Sequence, residues 1–258
     1  MKKQIRNILF QIWYWYISSI DKKAVITFMN YGYTADNFLI KLNQEDEINR
    51  YSAQLYHLLA TSVNIEGKNL LEVGCGRGGG LSYINRYLKP KSATGIDLSA
   101  KAIKFCQKNY ARENINFLQG NAESLTFDDN SFDVIINIES SHRYADMDSF
   151  LQEVDRVLKP NGFFLFTDFR QKENLEKLHT SLDKSNLIPL KNDIITKNIL
   201  EALKLASNQR KELINALAPK IFHRLANNFA ATEGSPTYNS FKNNDLIYFY
   251  YIFQKKTN

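Results

Sequence analysis

The sequence predicts an α/β fold: a seven-stranded, mostly parallel sheet with helices on both faces, an N-terminal helical segment and a helical cap. Three observations carry this. The stretch Asn69-Leu-Leu-Glu-Val-Gly-Cys-Gly-Arg-Gly-Gly-Gly80 reads as a buried strand, a tight turn and a helix start. From Asn69 onward, short apolar runs alternate with helical ones, the rhythm of a parallel sheet covered on both faces. The chain closes with Asp245-Leu-Ile-Tyr-Phe-Tyr-Tyr-Ile-Phe-Gln254, dense in β-formers and therefore a late strand.

Residues 1–65 form an N-terminal helical segment that covers the active site, and residues 66–258 form the main domain. Apolar residues at Ile5, Ile8, Leu9, Ile12, Trp13, Tyr16, Ile17 and Ile20 recur at helical spacing. Gln11, Ser18 and Ser19 make this stretch too polar, and its length too short, for a membrane span. It docks on the domain, or it makes peripheral membrane contact through residues 5–20 with its Trp and Tyr belt. An aromatic turn, Phe28-Met-Asn-Tyr-Gly-Tyr33, follows, and then a helix over 44–62.

In the main domain, strands are expected at Asn69–Val73, Ala93–Asp97, Ile115–Gln119, Phe132–Ile138 and Phe163–Asp168, with a sixth at Leu187–Ile194 and the closing run as the seventh. Helices are expected near 79–88, 99–110, 146–158 and 171–184. A long helical stretch near 196–229 interrupts the rhythm before the last strand, a position suited to a cap over a site.

Composition narrows the function classes. Hydrophobic residues make up 44% and charged residues 23% of 258, enough apolar material for one sizeable core. The net charge of +6 comes from scattered lysines such as Lys41, Lys91 and Lys104, with no Arg-rich stripe among aromatics, which argues against a nucleic-acid partner. Cys75 and Cys106 do not make a metal-ligand spacing and read as small buried side chains in a reducing compartment. No metal is expected. No secretory cleavage pattern is visible, which points to the cytoplasm.

Ligands in such sheets bind beyond the carboxyl ends of the strands, so the residue ending each strand is the place to look for chemistry. The glycine turn alone suits a nucleotide-like cofactor or a plain strand–helix connection. Asp97 ends the second strand about twenty residues past the glycine turn, where a carboxylate can accept from two ribose hydroxyls. Its bland role is a helix cap, which Ser99 could also serve. Asn121, after the third strand, either meets a base edge or is a simple turn residue. The fourth strand runs into Glu139-Ser-Ser-His-Arg-Tyr144, and the fifth ends at Thr167-Asp168. Those strands are neighbours in this fold, so His142 and Asp168 can converge. A carboxylate beside an imidazole fixes its tautomer and stabilises its cation, which makes His142 a candidate base.

With those residues in hand, the chain resembles the class I S-adenosylmethionine-dependent methyltransferases, with their Rossmann-like sheet. The matching stretches are Leu71-Glu-Val-Gly-Cys-Gly-Arg-Gly78, Gly95-Ile-Asp-Leu-Ser99, Gly120-Asn-Ala-Glu-Ser-Leu125, Ser131-Phe-Asp-Val134 and Arg156-Val-Leu-Lys-Pro-Asn-Gly162. The Gly-Gly-Gly helix start, the Glu-Ser-Ser-His run and the Asn-Tyr-Gly turn look most like phthiotriol/phenolphthiotriol dimycocerosate methyltransferases, which methylate a hydroxyl on a long lipid polyketide. The Glu-Ser-x-His run with a later Asp-Phe is also similar to small-molecule O-methyltransferases.

The resemblance implies S-adenosyl-L-methionine as cofactor. Glu72, Gly74, Cys75 and Gly76 would hold its methionine end, and Asp97 its ribose. Leu98 would lie against the adenine, with Asn121 and Ala122 at the adenine edge. Ile138 and Glu139 would complete the pocket. Tyr31, Tyr33 and Tyr144 would meet the acceptor. Two departures stand out: Asn121 where many relatives have Asp, and Arg77 where the nearest often have His. The resulting expectation is an O-methyltransferase acting on a small hydrophobic, lipid-like or polyketide acceptor, with His142 as base and Asp168 as its orienter. C-methylation of a quinone-type ring and a cofactor-binding module without turnover are the alternatives.

Overall fold

The computed structural model describes Asp21 and residues 25–257. Seven strands form one sheet in the order β3-β2-β1-β4-β5-β7-β6. They are β1 Asn69–Val73, β2 Ser92–Asp97, β3 Ile115–Gln119, β4 Phe132–Ile138, β5 Leu158–Gln171, β6 Leu187–Ile194 and β7 Leu246–Lys255. β1 to β5 pair in parallel, and β7 inserts antiparallel between β5 and β6. The chain builds outward from β1 in one direction through β2 and β3, then in the other through β4 and β5. The crevice beyond the carboxyl ends of β1 and β4 is therefore the topological switch point, where such sheets bind ligands.

The strand pleat divides the apolar residues between two cores. Leu70, Ile136, Leu165 and Ile252 face one side with Leu59, Leu81 and Ile84 of the covering helices. Leu71, Ile135, Phe164 and Phe249 face the other with Phe150 and Val154. The covering helices between β1 and β2, β2 and β3, and β4 and β5 are α2 Gly79–Leu88, α3 Ala100–Tyr110 and α4 Met147–Val157. Ser99 caps α3 by accepting from Ala102 N, and Asp146 caps α4 by accepting from Ser149 N. No helix among the described residues is long and apolar enough to cross a membrane.

Several expected elements differ in detail. The helix over 44–62 is a 3₁₀ segment, Gln44–Asn49, followed by α1, Arg50–Ala60. The helix at 171–184 is likewise a 3₁₀ turn, Lys172–Asn174, leading into α5, Leu175–Asp183. β5 begins at Leu158 rather than Phe163: Leu158 pairs with Phe132, and a register shift precedes the Val134–Phe163 pair. Asn161, at φ +60, makes the local turn. The 196–229 stretch is three α-helices, not one: α6 Thr196–Leu205, α7 Ser207–Leu217 and α8 His223–Phe229. Pro219 cannot donate a helical hydrogen bond, so α7 stops before it. A further helix, α9 Pro236–Lys242, has Ser235 as its cap and proline at its first turn. The helix expected at 5–20 lies outside the described residues.

Residues 25–34 cross the front of the domain. Gly79 N donates to Thr27 O, and Arg77 reaches back to Ile26 O. Arg77 Nη2 lies 2.7 Å from Asp21 Oδ2 with both side chains fully buried, and the guanidinium stands 3.7 Å from the Phe105 ring centre. Further along, Tyr33 N donates to Tyr51 O, and Asn198 of α6 donates to Thr34 O. Arg77 thus ties the segment before the aromatic turn to the glycine loop. That is a physical role for the departure noted at this position.

Helix α1 lies against the start of α2. A Cβ on Gly80 would stand 1.8 Å from Cζ of Tyr56, so only glycine lets that ring pass. We predict that Gly80→Ala lowers stability by about 1–3 kcal/mol, the cost of overpacking a filled core. The urea unfolding midpoint measures it. An unchanged midpoint would mean that the ring has somewhere else to go.

Candidate functional site

The turn after β1 is held by its neighbour strand. Gly74 N and Cys75 N both donate to Ile96 O, and Gly78 N donates to Cys75 O. Gly74 and Gly76 have φ of +80 and +53. A Cβ at Gly74 would stand 2.2 Å from Ser140 Oγ, so this glycine first of all makes room for the loop after β4. Asp97 at the end of β2 accepts from Gly76 N at 3.0 Å and from Ser99 N at 2.9 Å. Burial raises its pKa, and the two backbone donors oppose that rise. Ser99 takes the capping role, and Asp97 braces the glycine loop against β2.

Glu72, two residues before the turn, is fully buried. Its Oε1 accepts from Tyr56 Oη at 2.6 Å, and its Oε2 has no hydrogen-bond partner among the described residues. Burial pushes its carboxyl up to about 7, with Asp97 adding to the rise against the Tyr56 bond. A buried acceptor without a donor costs roughly 1–3 kcal/mol. That orphan oxygen beside a glycine cradle fits a cationic ligand group. Leu98 is 68% exposed immediately after Asp97, as an apolar side chain awaiting a flat ligand would be. Ala122, in the turn after β3, and Ile138, the last residue of β4, are buried. These residues fit the S-adenosylmethionine that the resemblance implies. Asn121 is less clearly prepared: it is exposed, and its Oδ1 accepts from Glu123 N, an ordinary turn role.

The histidine and aspartate meet. His142 sits in a 3₁₀ turn, Ser141–Arg143, after β4, and its Nδ1 lies 2.8 Å from Asp168 Oδ1. Asp168 is fully buried and also accepts from His142 N, Ser141 Oγ and Phe169 N, with Arg170 Nη1 at 3.1 Å. Burial alone would raise its pKa. His142, Arg170 and the hydrogen bonds more than reverse this, and its carboxyl stays well below the usual range. An ionised carboxylate only accepts, so Nδ1 carries the ring proton. Nε2 then holds a lone pair, and Arg143 Nε donates to it at 3.2 Å. The ring rests on Phe169, 4.4 Å between centroids. Burial depresses the pKa of His142 below 6.5, against the pull of Asp168, and Arg143 and Arg170 depress it further.

Glu139 departs from expectation. It stands at φ +47, a conformation that costs a non-glycine residue about 1–3 kcal/mol. Its Oε1 accepts from Tyr31 N and Tyr248 Oη, both at 2.7 Å. It therefore ties the aromatic turn and β7 to the end of β4, and these partners were not expected of it. Burial lifts its carboxyl to about 8, opposed by those two donors.

The three tyrosines expected at the acceptor separate. Tyr31 packs on Phe169 and Phe241, and burial drives its phenol well above its ordinary range. Tyr33 is buried in the core against Phe38, away from Tyr31, because residues 31 and 33 do not share a strand's face. Tyr144 Oη bonds Ser140 Oγ and Asn137 Nδ2 beside Gly74, which puts it at the glycine cradle. A cavity of about 170 Å³ opens on the other side of Tyr31, walled by Phe28, Met29, Leu213, Leu217 and Phe229. Arg210 lines it and donates to Tyr31 O and Ala230 O.

Several side chains of the candidate site went unmarked in the sequence. Arg170 was recoverable, since two residues along a strand share a face with Asp168. Ser141 stands inside the run already singled out. Tyr56 and Tyr248 come from distant elements, and only the packing of α1 and the β5–β7 register brings them in.

Residues 71–166 match the Methyltransferase domain family. Over 243 residues the chain is 36% identical to the fatty-acid O-methyltransferase of Mycolicibacterium smegmatis, covering 94% of this chain and 88% of that protein. Over 249 residues it is 36% identical to the phthiotriol/phenolphthiotriol dimycocerosates methyltransferase of Mycobacterium leprae, covering 95% and 92%. The fold is similar to that of geranyl diphosphate C-methyltransferase from Streptomyces coelicolor A3(2), solved with S-adenosyl-L-homocysteine. There the TM-score is 0.66 at 16% identity, with 92% of each chain covered.

Glu72 generates a stability prediction. Its carboxyl ionises near 4.5 in the unfolded chain and at about 7 in the folded one. As pH rises from 4.5 the unfolded state loses its proton first, so the ligand-free protein loses stability until about pH 7. The loss amounts to about 3 kcal/mol. Glu139, raised to about 8, adds a decline of the same sign, so Glu72→Gln should make the total decline shallower by about that amount, and denaturant unfolding of both proteins across this range measures the difference. A decline unchanged in the variant would place its origin elsewhere.

Proposed function

The chain belongs to the class I S-adenosylmethionine-dependent methyltransferases, and from that premise we propose that it methylates an oxygen of a hydrophobic, lipid-like acceptor with His142 as general base. The observation that carries the reading is the 2.8 Å His142–Asp168 bond at the carboxyl edge of the sheet. S-adenosylmethionine, when bound, supplies a methyl group on a sulfonium, open to in-line displacement by a nucleophile. Glu72 and the glycine loop hold its methionine end, Asp97 its ribose, and Leu98, Ala122 and Ile138 its adenine side.

An alcohol is a poor nucleophile until its proton leaves. His142 takes that proton at Nε2. Asp168 keeps the ring's Nδ1 protonated and stabilises the imidazolium that forms. A depressed histidine pKa keeps the ring neutral, and ready to accept, at physiological pH. General-base help is typically worth roughly 10²–10⁴-fold. Holding the acceptor in line supplies roughly 7–11 kcal/mol more of the barrier.

The apolar cavity supports a lipid-like acceptor. Its walls come from residues 25–31, 48–52 and 206–230. We read the N-terminal segment to residue 65 and the 196–229 insertion as the cover of the acceptor site. The relatives' names point the same way, one to fatty acids and one to phthiotriol. The fatty-acid relative also raises a second reading, a carboxylate acceptor. A carboxylate is already ionised near neutral pH and needs no base.

His142→Ala is expected to lower turnover of a hydroxyl acceptor by roughly 10²–10⁴-fold with cofactor affinity unchanged. Asp168→Asn should lose rate as well, because the tautomer is no longer fixed. For the wild type, turnover should rise with pH through a value below 6.5 and then level off. Near wild-type rates in both variants would overturn the base assignment and favour the carboxylate acceptor.

A further inference from the structure

At one place the cap turns its large apolar side chains outward. Between α7 and α8 the chain makes a 3₁₀ turn, Lys220–Phe222. On either side of that turn, Ala218 and Ala226 are buried with Ile26, Ile214 and Phe229 packed against them. Ile221 is 83% exposed, and Phe222 and Leu225 are exposed beside it in the chain. Small residues inside and large apolar ones outside invert the usual order of a covering helix. Hydrogen bonds hold the turn this way round: Phe222 N donates to Pro219 O, and His223 Nε2 donates to Ala218 O at 2.8 Å. Large apolar side chains grouped at a surface mark a place of contact with something else.

The charge around this patch selects the partner. Lys220 and Arg224 stand at exposed positions within it, and no acidic residue occurs between Glu212 and Glu233. A second copy docked face to face would oppose like charges. An anionic lipid surface complements both cations and accepts the apolar side chains between them. The same segment also reaches the interior, because Leu217, Ala218, Ala226 and Phe229 line the apolar cavity. We propose that the turn at 219–225 docks on an anionic bilayer, with Ile221, Phe222 and Leu225 in the headgroup boundary and Lys220 and Arg224 against the lipid phosphates. The cavity then lies behind the docked turn, and a lipid acceptor passes into it with little exposure to water. Only this delivery rests on the lipid acceptor proposed above, and the docking stands whichever atom is methylated.

Sedimentation of the full chain with vesicles tests the docking. One set mixes phosphatidylglycerol with phosphatidylcholine, and the other is phosphatidylcholine alone. The wild type should bind the mixed vesicles more tightly. Ile221→Asp should weaken that binding by about tenfold or more, as the loss of one buried aliphatic side chain implies. Ile221→Leu should keep it. Lys220→Gln combined with Arg224→Gln should weaken binding to the mixed vesicles by roughly tenfold or more and leave phosphatidylcholine binding unmoved. Calorimetry with S-adenosylhomocysteine, expected unchanged in every variant, checks that each still folds. A wild type that ignores the mixed vesicles overturns the proposal. Binding unmoved in Ile221→Asp and in the double variant overturns it too, by placing the contact elsewhere on the chain. So does a dimer that Ile221→Asp splits while vesicles are ignored. No readout depends on turnover, so failure of the base assignment in His142→Ala is distinguishable from failure of the docking.

Discussion

Asp168 lies three residues before the end of β5 with no exposed surface, and a carboxylate buried there without partners would cost several kcal/mol. The local structure supplies those partners. Ser141 Oγ and His142 N donate to one oxygen, His142 Nδ1 and Phe169 N to the other, and Arg170 balances the charge. The 3₁₀ turn after β4 is therefore fixed to the end of β5 by the needs of one carboxylate. That turn sets where His142 stands, which tautomer it holds, and where Arg143 and Ser140 lie. Ser140 in turn fills the space that Gly74 leaves open. The cofactor loop and the candidate base are packed against one another through this chain of contacts.

Three acidic side chains at the sheet's carboxyl edge end up in different states, and environment alone separates them. Asp168 is held ionised by His142 and Arg170 despite its burial. Glu72 and Glu139 are pushed toward neutrality by burial that their few donors do not offset, to about 7 and about 8. Divergent pKa values among neighbouring acids mark sites with divided labour. Glu72 has an oxygen left for a ligand. Glu139 spends one oxygen on the aromatic turn and β7, which joins the wall of the apolar cavity to the edge where the chemistry is proposed.

The sheet was legible because its parallel strands are short apolar runs separated by amphipathic helices, and because glycine and proline punctuate them. The His142–Asp168 meeting was legible because His142 follows β4 and Asp168 lies on β5, its neighbour in the sheet. What escaped came from outside that frame. Tyr33 read as a partner of Tyr31, but the segment is not a strand and the two side chains part. Glu139 read as a cofactor residue, and its bonds to Tyr31 N and Tyr248 Oη join elements that the sequence does not bring together. The covering helices after β6 looked continuous because their apolar residues hold helical spacing through the break at Ala206, and only Pro219 announced a stop. Ser235-Pro236 was a helix start of ordinary kind that went unread. Tyr56 could not be assigned to Glu72 without knowing how α1 crosses α2.

The proposed reaction, methyl transfer to an oxygen of a lipid-like acceptor, is read from the identity of its product. The enzyme, methyl-labelled S-adenosylmethionine and a total cell extract are incubated together, and the labelled product is fragmented in a mass spectrometer. The label is expected in an organic-soluble compound, as a methyl group borne on oxygen. Label on carbon, on nitrogen, or in protein or nucleic acid would contradict it.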